Sequence, residues 1–153
     1  MENKDEYYMG LALLEAKRAS LENEVPIGAV IVYNDKVIAS SYNHKTINNI
    51  ATHHAEILVI NEACKKLKTW YLDECTLYTT IEPCMMCTGA ILQSRIKKVV
   101  YGSKNEAFGY LSKQNLKLEI KSGVLEKECQ EILSTFFQNL RLKNLGEKEK
   151  IKE

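Results

Sequence analysis

The chain has 153 residues, of which 45% are apolar and 27% charged, and its formal net charge is +1. That suits one domain around a single core and gives no global charge on which to expect nucleic acid. No apolar run approaches membrane-spanning length, and the charged start Met1-Glu2-Asn3-Lys4-Asp5-Glu6 lacks the apolar stretch of a leader. A reducing cytoplasm is therefore expected, where five cysteines are thiols or metal ligands rather than a disulfide framework.

In chain order, an amphipathic helix is expected over Lys4–Leu21, with Met9, Leu13 and Ala16 on one face. Pro26 and Gly28 are expected to break it. Residues 27–33 read as a buried strand, Asn34-Asp35 as a turn and Lys36–Tyr42 as a returning strand. Residues 43–52 are polar and read as irregular. A helix follows His54, burying Ile57, Ile60, Cys64 and Leu67. Residues 76–80 form a strand, and Pro83 suits the first turn of a helix reaching Gln93, because its missing N–H costs nothing there. Residues 98–101 are a fourth strand ended by Gly102, and 116–120 a fifth. The last helix has an apolar stripe of Leu125, Cys129, Ile132, Leu133, Phe136, Phe137 and Leu140. Strands alternating with helices predict a three-layer α/β/α sandwich, and the opening hairpin makes its five-stranded sheet mixed. Residues 1–146 form one domain in this reading, and the highly charged 147–153 a fraying tail.

Chemistry concentrates in His54-Ala55-Glu56 and Pro83-Cys84-Met85-Met86-Cys87. Cys84 and Cys87, at i and i+3, share one helical face at the positive end of a helix, which favours thiolates that can hold one ion. His54 supplies a third, nitrogen ligand. Three protein ligands leave a fourth position open for water, as a catalytic zinc ion requires. Glu56 lies two residues from His54 and faces elsewhere. It reads as a base beside the zinc-bound water, because a fourth protein ligand would close the site. Cys-x-x-Cys alone also occurs in structural zinc half-sites and redox pairs, but no second Cys-x-x-Cys exists, and a redox pair needs neither His54 nor Glu56. His53 adjoins His54 and competes as a ligand; the spacing to Glu56 favours His54. Cys64 and Cys129 lie on apolar stripes as core thiols, and Cys75 is structural.

These stretches resemble the signature of zinc-dependent base deaminases. Together with Val25-Pro26-Ile27-Gly28-Ala29-Val30, Thr76-Leu77-Tyr78-Thr79-Thr80-Ile81-Glu82, Gly89-Ala90-Ile91, Ser94-Arg95-Ile96, Gly123-Val124-Leu125-Glu126-Lys127-Glu128-Cys129 and Phe136-Phe137, the chain resembles the bacterial tRNA-specific adenosine deaminases over roughly residues 5–145. That resemblance implies the cytidine-deaminase-like fold, one Zn2+ per chain, hydrolysis of adenosine to inosine at the wobble position of a tRNA anticodon, and a homodimer holding each anticodon loop near its interface. It also implies that Asn43 holds the base edge, that Ile27 lines the pocket, that Ala55, Pro83 and Cys84 surround the reacting ring, that Asn105 meets a ribose hydroxyl, and that Phe137 and Arg141 face flanking nucleotides. On stripe position alone, Phe137 reads as core.

The chain departs from the family pattern at three places. Ile50-Ala51-Thr52-His53 stands where the family has Asp-Pro-Thr-Ala, and Gly102-Ser103-Lys104-Asn105 where it has Gly-Ala-Arg-Asp. The loop 106–115, which borders the RNA in the family, is shorter and lacks the Pro-Asn-His run. The short loop and modest charge favour a free-base or nucleoside deaminase as the rival enzyme. The basic tail Arg141-Leu142-Lys143-Asn144 and the Phe136-Phe137 helix disfavour it. A catalytically dead partner subunit would be expected to lack Glu56.

Overall fold

The computed structural model describes residues 3–152, with side chains described through Gly146. Its elements are α1 (Lys4–Leu21), β1 (Gly28–Tyr33), β2 (Lys36–Tyr42), α2 (Lys45–Asn48), α3 (Ala55–Leu67), β3 (Thr76–Ile81), α4 (Met85–Gln93), β4 (Lys98–Ser103), β5 (Glu119–Lys121) and α5 (Glu126–Lys152), with a 3-10 turn at Leu111–Lys113. The sheet order is β2-β1-β3-β4-β5. β1 runs antiparallel to both β2 and β3, while β3, β4 and β5 are parallel. The sheet is thus mixed, as the hairpin implies.

Alternation along β1 divides the core in two. Val30 and Val32 pack with Tyr8, Met9, Ala12 and Leu13 of α1, and with Cys129 of α5. Ala29 and Ile31 pack on the other face with Ala55, Val59, Ile60 and Ala63 of α3 and Ile91 of α4. The result is the expected three-layer sandwich, with α1 and α5 on one face and α3 and α4 on the other. The Asn3 side chain caps α1 by accepting the Asp5 N–H at 3.0 Å, and Asp5 and Glu6 complement the helix dipole. Asn34 and Asp35 both have positive φ, 50° and 59°, so the hairpin closes through a two-residue turn of the primed kind.

Several sequence expectations shift for identifiable reasons. α1 ends at Leu21, well before Pro26, and Gly28 lies inside the sheet. A Cβ at Gly28 would sit 2.0 Å from the Ala12 carbonyl oxygen, so this glycine permits close packing of α1 on β1 rather than breaking a helix. Gly102 likewise does not end β4. The strand continues through it to Ser103, and a Cβ there would lie 2.3 Å from Cys129 Sγ, so the glycine permits close packing of α5 on β4. Residues 43–52 include the short helix α2. The buried face of α3 is Ala55, Glu56, Val59, Ile60 and Ala63; Ile57, Cys64 and Leu67 are only partly buried. Pro83 precedes α4, and Cys84 is its N-cap. The fifth strand is later and shorter than expected. On α5, Cys129 alone of the predicted stripe is fully buried, and Phe137 is 40% exposed, so its core reading fails. The backbone of α5 continues to Lys152; the side chains of the predicted tail, 147–153, lie outside the described residues.

Candidate active site

Two helix starts converge below the sheet. His54 is the N-cap residue of α3, and Cys84 that of α4, with Cys87 in the first turn. α4 follows β3 through the buried Glu82 and Pro83, whereas α3 follows the exposed turn at 49–52 and is held by the buried side chains of its own first turn, Ala55 and Glu56. His54 Nδ1 lies 3.7 Å from Cys84 Sγ and 3.5 Å from Cys87 Sγ. One ligand atom from each residue falls within 4.8 Å of the others. His53 stands apart from this trio, its Nδ1 meeting the Asn48 side-chain amide at 2.9 Å.

The electrostatics at these two helix starts favour one thiolate of the pair, beside a histidine whose charged form is also favoured. Hydrogen bonding from the Cys87 thiol pulls Cys84 down to about 4, against the upward push of burial and with help from His54. The same Cys84 bond and burial hold Cys87 up. His54 is raised mainly by its bond to Cys84. The other thiols are held up chiefly by burial, Cys75 to about 11 and Cys129 to about 12, and are inert by comparison.

Glu56 is 3% exposed, and burial raises its carboxyl above the usual range. Its Oε1 has no hydrogen-bond partner in the protein. A buried carboxyl oxygen left unpaired is expensive and calls for a partner supplied from elsewhere. One imidazole nitrogen, two sulfurs and an orphaned oxygen beside them fit a metal ion with three protein ligands and one open position.

The surrounding residues form two clips that sequence reasoning missed. Glu24 is buried, and its carboxylate accepts the N–H groups of Thr46 at 2.9 Å and Ile47 at 2.8 Å, fixing the start of α2. Glu82 is also buried; it accepts the Ser112 N–H at 2.8 Å and the Asn105 N–H at 3.4 Å. The only available signal was an acid between two apolar elements, isolated at Glu82 but accompanied by Glu22 at Glu24. Asn43 is buried, with its N–H on the Ile27 carbonyl at 3.0 Å and its Oδ1 accepting from Lys45 N–H at 3.0 Å. Ala55 is fully buried in the first turn of α3, and Pro83 immediately precedes Cys84. Asn105 uses its Oδ1 to accept the Phe108 N–H at 3.0 Å. Phe137 and Arg141 are exposed on α5, in the layer opposite the trio. A concavity of about 880 Å³ between α1 and α5 is lined by Leu13, Phe136 and Leu140, among others, and holds none of the trio.

This fold with this trio defines a deaminase: the family model of MafB19-like deaminases matches residues 2–141. A tRNA-specific adenosine deaminase of Bacillus subtilis is 45% identical, with 98% of this chain and 99% of the relative covered. A solved tRNA:A34 deaminase, studied for A-to-I editing at the wobble position of transfer RNA, is 40% identical with a TM-score of 0.80, covering 83% of this chain and 99% of its own. The chain belongs to the tRNA-specific adenosine deaminase family. A solved guanine deaminase of Bacillus subtilis is also 40% identical, with a TM-score of 0.63, over 68% of this chain and 66% of its own.

Proposed function

We propose that this chain hydrolyses adenosine to inosine at the wobble position of a tRNA anticodon. The observation that carries the chemistry is the unpaired, buried Glu56 Oε1 beside the His54–Cys84–Cys87 trio. The substrate rests on relatives matched from end to end. His54, Cys84 and Cys87 would hold one zinc ion, which supplies Lewis-acid activation of water near neutral pH. Glu56 removes a proton from the attacking water and passes it to the departing amine, so that ammonia leaves and the carbon keeps the oxygen. Its burial keeps bulk water from competing for that proton.

The target base would be extruded from the anticodon loop to reach this depth. Asn43 would hold its edge with the amide N–H left after its contact with the Val25 carbonyl. Ile27 would line the pocket; the backbone at Ala55 and Cys84, with Pro83, would surround the ring. Asn105 would meet a ribose hydroxyl, and Phe137 and Arg141 flanking nucleotides. Two copies would pair through the outer face of α4: Gly89 has open space around it, and Leu92, Trp70 and Tyr71 are exposed apolar side chains nearby in the fold. Among the described residues no helix is long and apolar enough to cross a membrane; a tRNA substrate would place the site of action in the cytoplasm.

Sequencing total tRNA before and after treatment tests the substrate: adenosine-to-inosine change in an anticodon is expected. The second reading, a free-base deaminase, draws on the short 106–115 loop and on the similarity to guanine deaminase. Ammonia released from guanine, cytosine or free adenosine, with none from tRNA, would establish it instead.

A further inference from the structure

The segment between β4 and the 3-10 turn is pinned to the strand–helix junction that carries Cys84. Gly109 forms an isolated antiparallel bridge with Cys84. The Tyr110 N–H donates to the Pro83 carbonyl at 3.1 Å, and the Gly109 N–H to the Asn105 carbonyl at 2.9 Å. Phe108 N–H and Ser112 N–H are taken by Asn105 Oδ1 and Glu82 Oε2. A Cβ at Gly109 would lie 2.5 Å from both Glu82 Oε1 and the Asn105 carbonyl oxygen, so the approach is as close as a backbone allows. The backbone here is tightly tied, yet the large apolar side chain on it points outward: Phe108 is 76% exposed. One step along the same bridge, Met85 is 66% exposed.

An isolated exposed phenylalanine is unremarkable on a surface. This one differs in standing on a fixed loop, one residue from the bridge to a metal-site cysteine, beside a second exposed apolar side chain. We propose that Phe108, backed by Met85, is a stacking platform for the nucleobase next to the reacting one. The inference rests on the single-stranded RNA reading above. Extruding the target base strips its neighbour of a stacking partner, and a rigid aromatic face restores one at small entropic cost. Lys104 and Lys113, exposed at either end of the loop, supply charge for the same nucleotide's phosphates, with Glu106 the acid between them. The platform explains how a short loop can still serve an RNA substrate: it offers one aromatic face in place of a longer wrap.

The test compares wild type, Phe108→Ala and Phe108→Trp as zinc-loaded full chains, on an anticodon stem-loop RNA and by light scattering. The alanine variant is expected to raise KM for the RNA about tenfold with kcat within about twofold, the lower end of what losing one base–aromatic stack costs. The tryptophan variant is expected to restore KM. Melting temperature and zinc content should not move, because the side chain is mostly in solvent. Unchanged KM in Phe108→Ala, on an RNA that wild type deaminates, overturns the platform and leaves the tRNA reading standing. A fall from dimer to monomer in Phe108→Ala overturns it in favour of a contact between copies. A wild-type chain inactive on RNA overturns both.

Discussion

Leaving a buried carboxyl oxygen without a partner costs the fold on the order of 1–3 kcal/mol, and Glu56 Oε1 is such an atom. Removing it should therefore relieve the fold while ending the reaction. Glu56→Ala is expected to keep its zinc and to melt no lower than wild type, with kcat down about 10²–10⁴-fold; metal analysis, calorimetry and ammonia release on one preparation check all three. An active Glu56→Ala enzyme would remove Glu56 from the mechanism. The trio and Glu56 were legible in the sequence because ligand chemistry demands particular residue types at particular separations. Glu24 and Glu82 were not, because an acid between two elements looks the same whether it faces water or accepts backbone N–H groups. Phe108 was equally silent, since only the bridge to Cys84 brings its loop to the site.

At the level of elements, helix and strand periodicity recovered α1 and β2 to the residue, but three facings and boundaries needed the tertiary structure. α3 turns so that Glu56 points inward with Val59, Ile60 and Ala63, a rotation that apolar spacing alone could not anticipate because the helix buries an acid. Gly28 and Gly102 looked like breakers, yet each marks where a helix presses against the sheet. Gly28→Ala is expected to destabilise the chain by about 3 kcal/mol or more, since the added carbon meets Ala12 and Ala16 backbone rather than a movable side chain; denaturant titration measures this. α1 is also tied to the far end of the sheet through Asp5, which accepts from Lys121 Nζ at 2.6 Å and Tyr78 Oη at 2.7 Å. Burial pushes the Asp5 carboxyl up, but the bonds from Lys121 and Tyr78 outweigh it and hold the group below its ordinary 3.8. A depressed carboxyl stabilises the fold above the unfolded value and loses that contribution as pH falls through the folded one. Asp5→Asn should therefore cost about 1 kcal/mol at pH 7, reduced from a fully buried pair because Lys121 is half in solvent. The difference from wild type should shrink as pH falls below 3.8 and vanish once the carboxyl is protonated in the folded state as well. An equal difference at neutral and acid pH would mean that charge plays no part.

For the whole molecule, the layering was readable from alternation of strands and helices, whereas the reach of α5 was not. An apolar stripe suggested burial along its length; instead the helix, about 40 Å long at 1.5 Å per residue, packs through Cys129 and its neighbours and then exposes Phe137, Leu140, Leu142 and Leu145. Apolar spacing identifies a face but not whether anything covers it. If residues 1–146 are the domain, a chain ending at Gly146 should keep the wild-type melting temperature and deaminase activity, and a drop of several degrees would extend the domain into the tail.

Among the described residues neither core cluster includes His54, Cys84 or Cys87, and the trio is brought together by helices that those cores already hold. Folding and metal capture are thereby separable, unlike in domains that are unfolded until an ion arrives. Chelation should leave the circular dichroism of the chain intact while lowering its stability to unfolding by about 1.4 kcal/mol for every tenfold fall in free zinc above the dissociation constant. In a cell, such a protein would survive metal starvation as a silent, intact reserve, and anticodon editing could resume on resupply without a single new copy being translated.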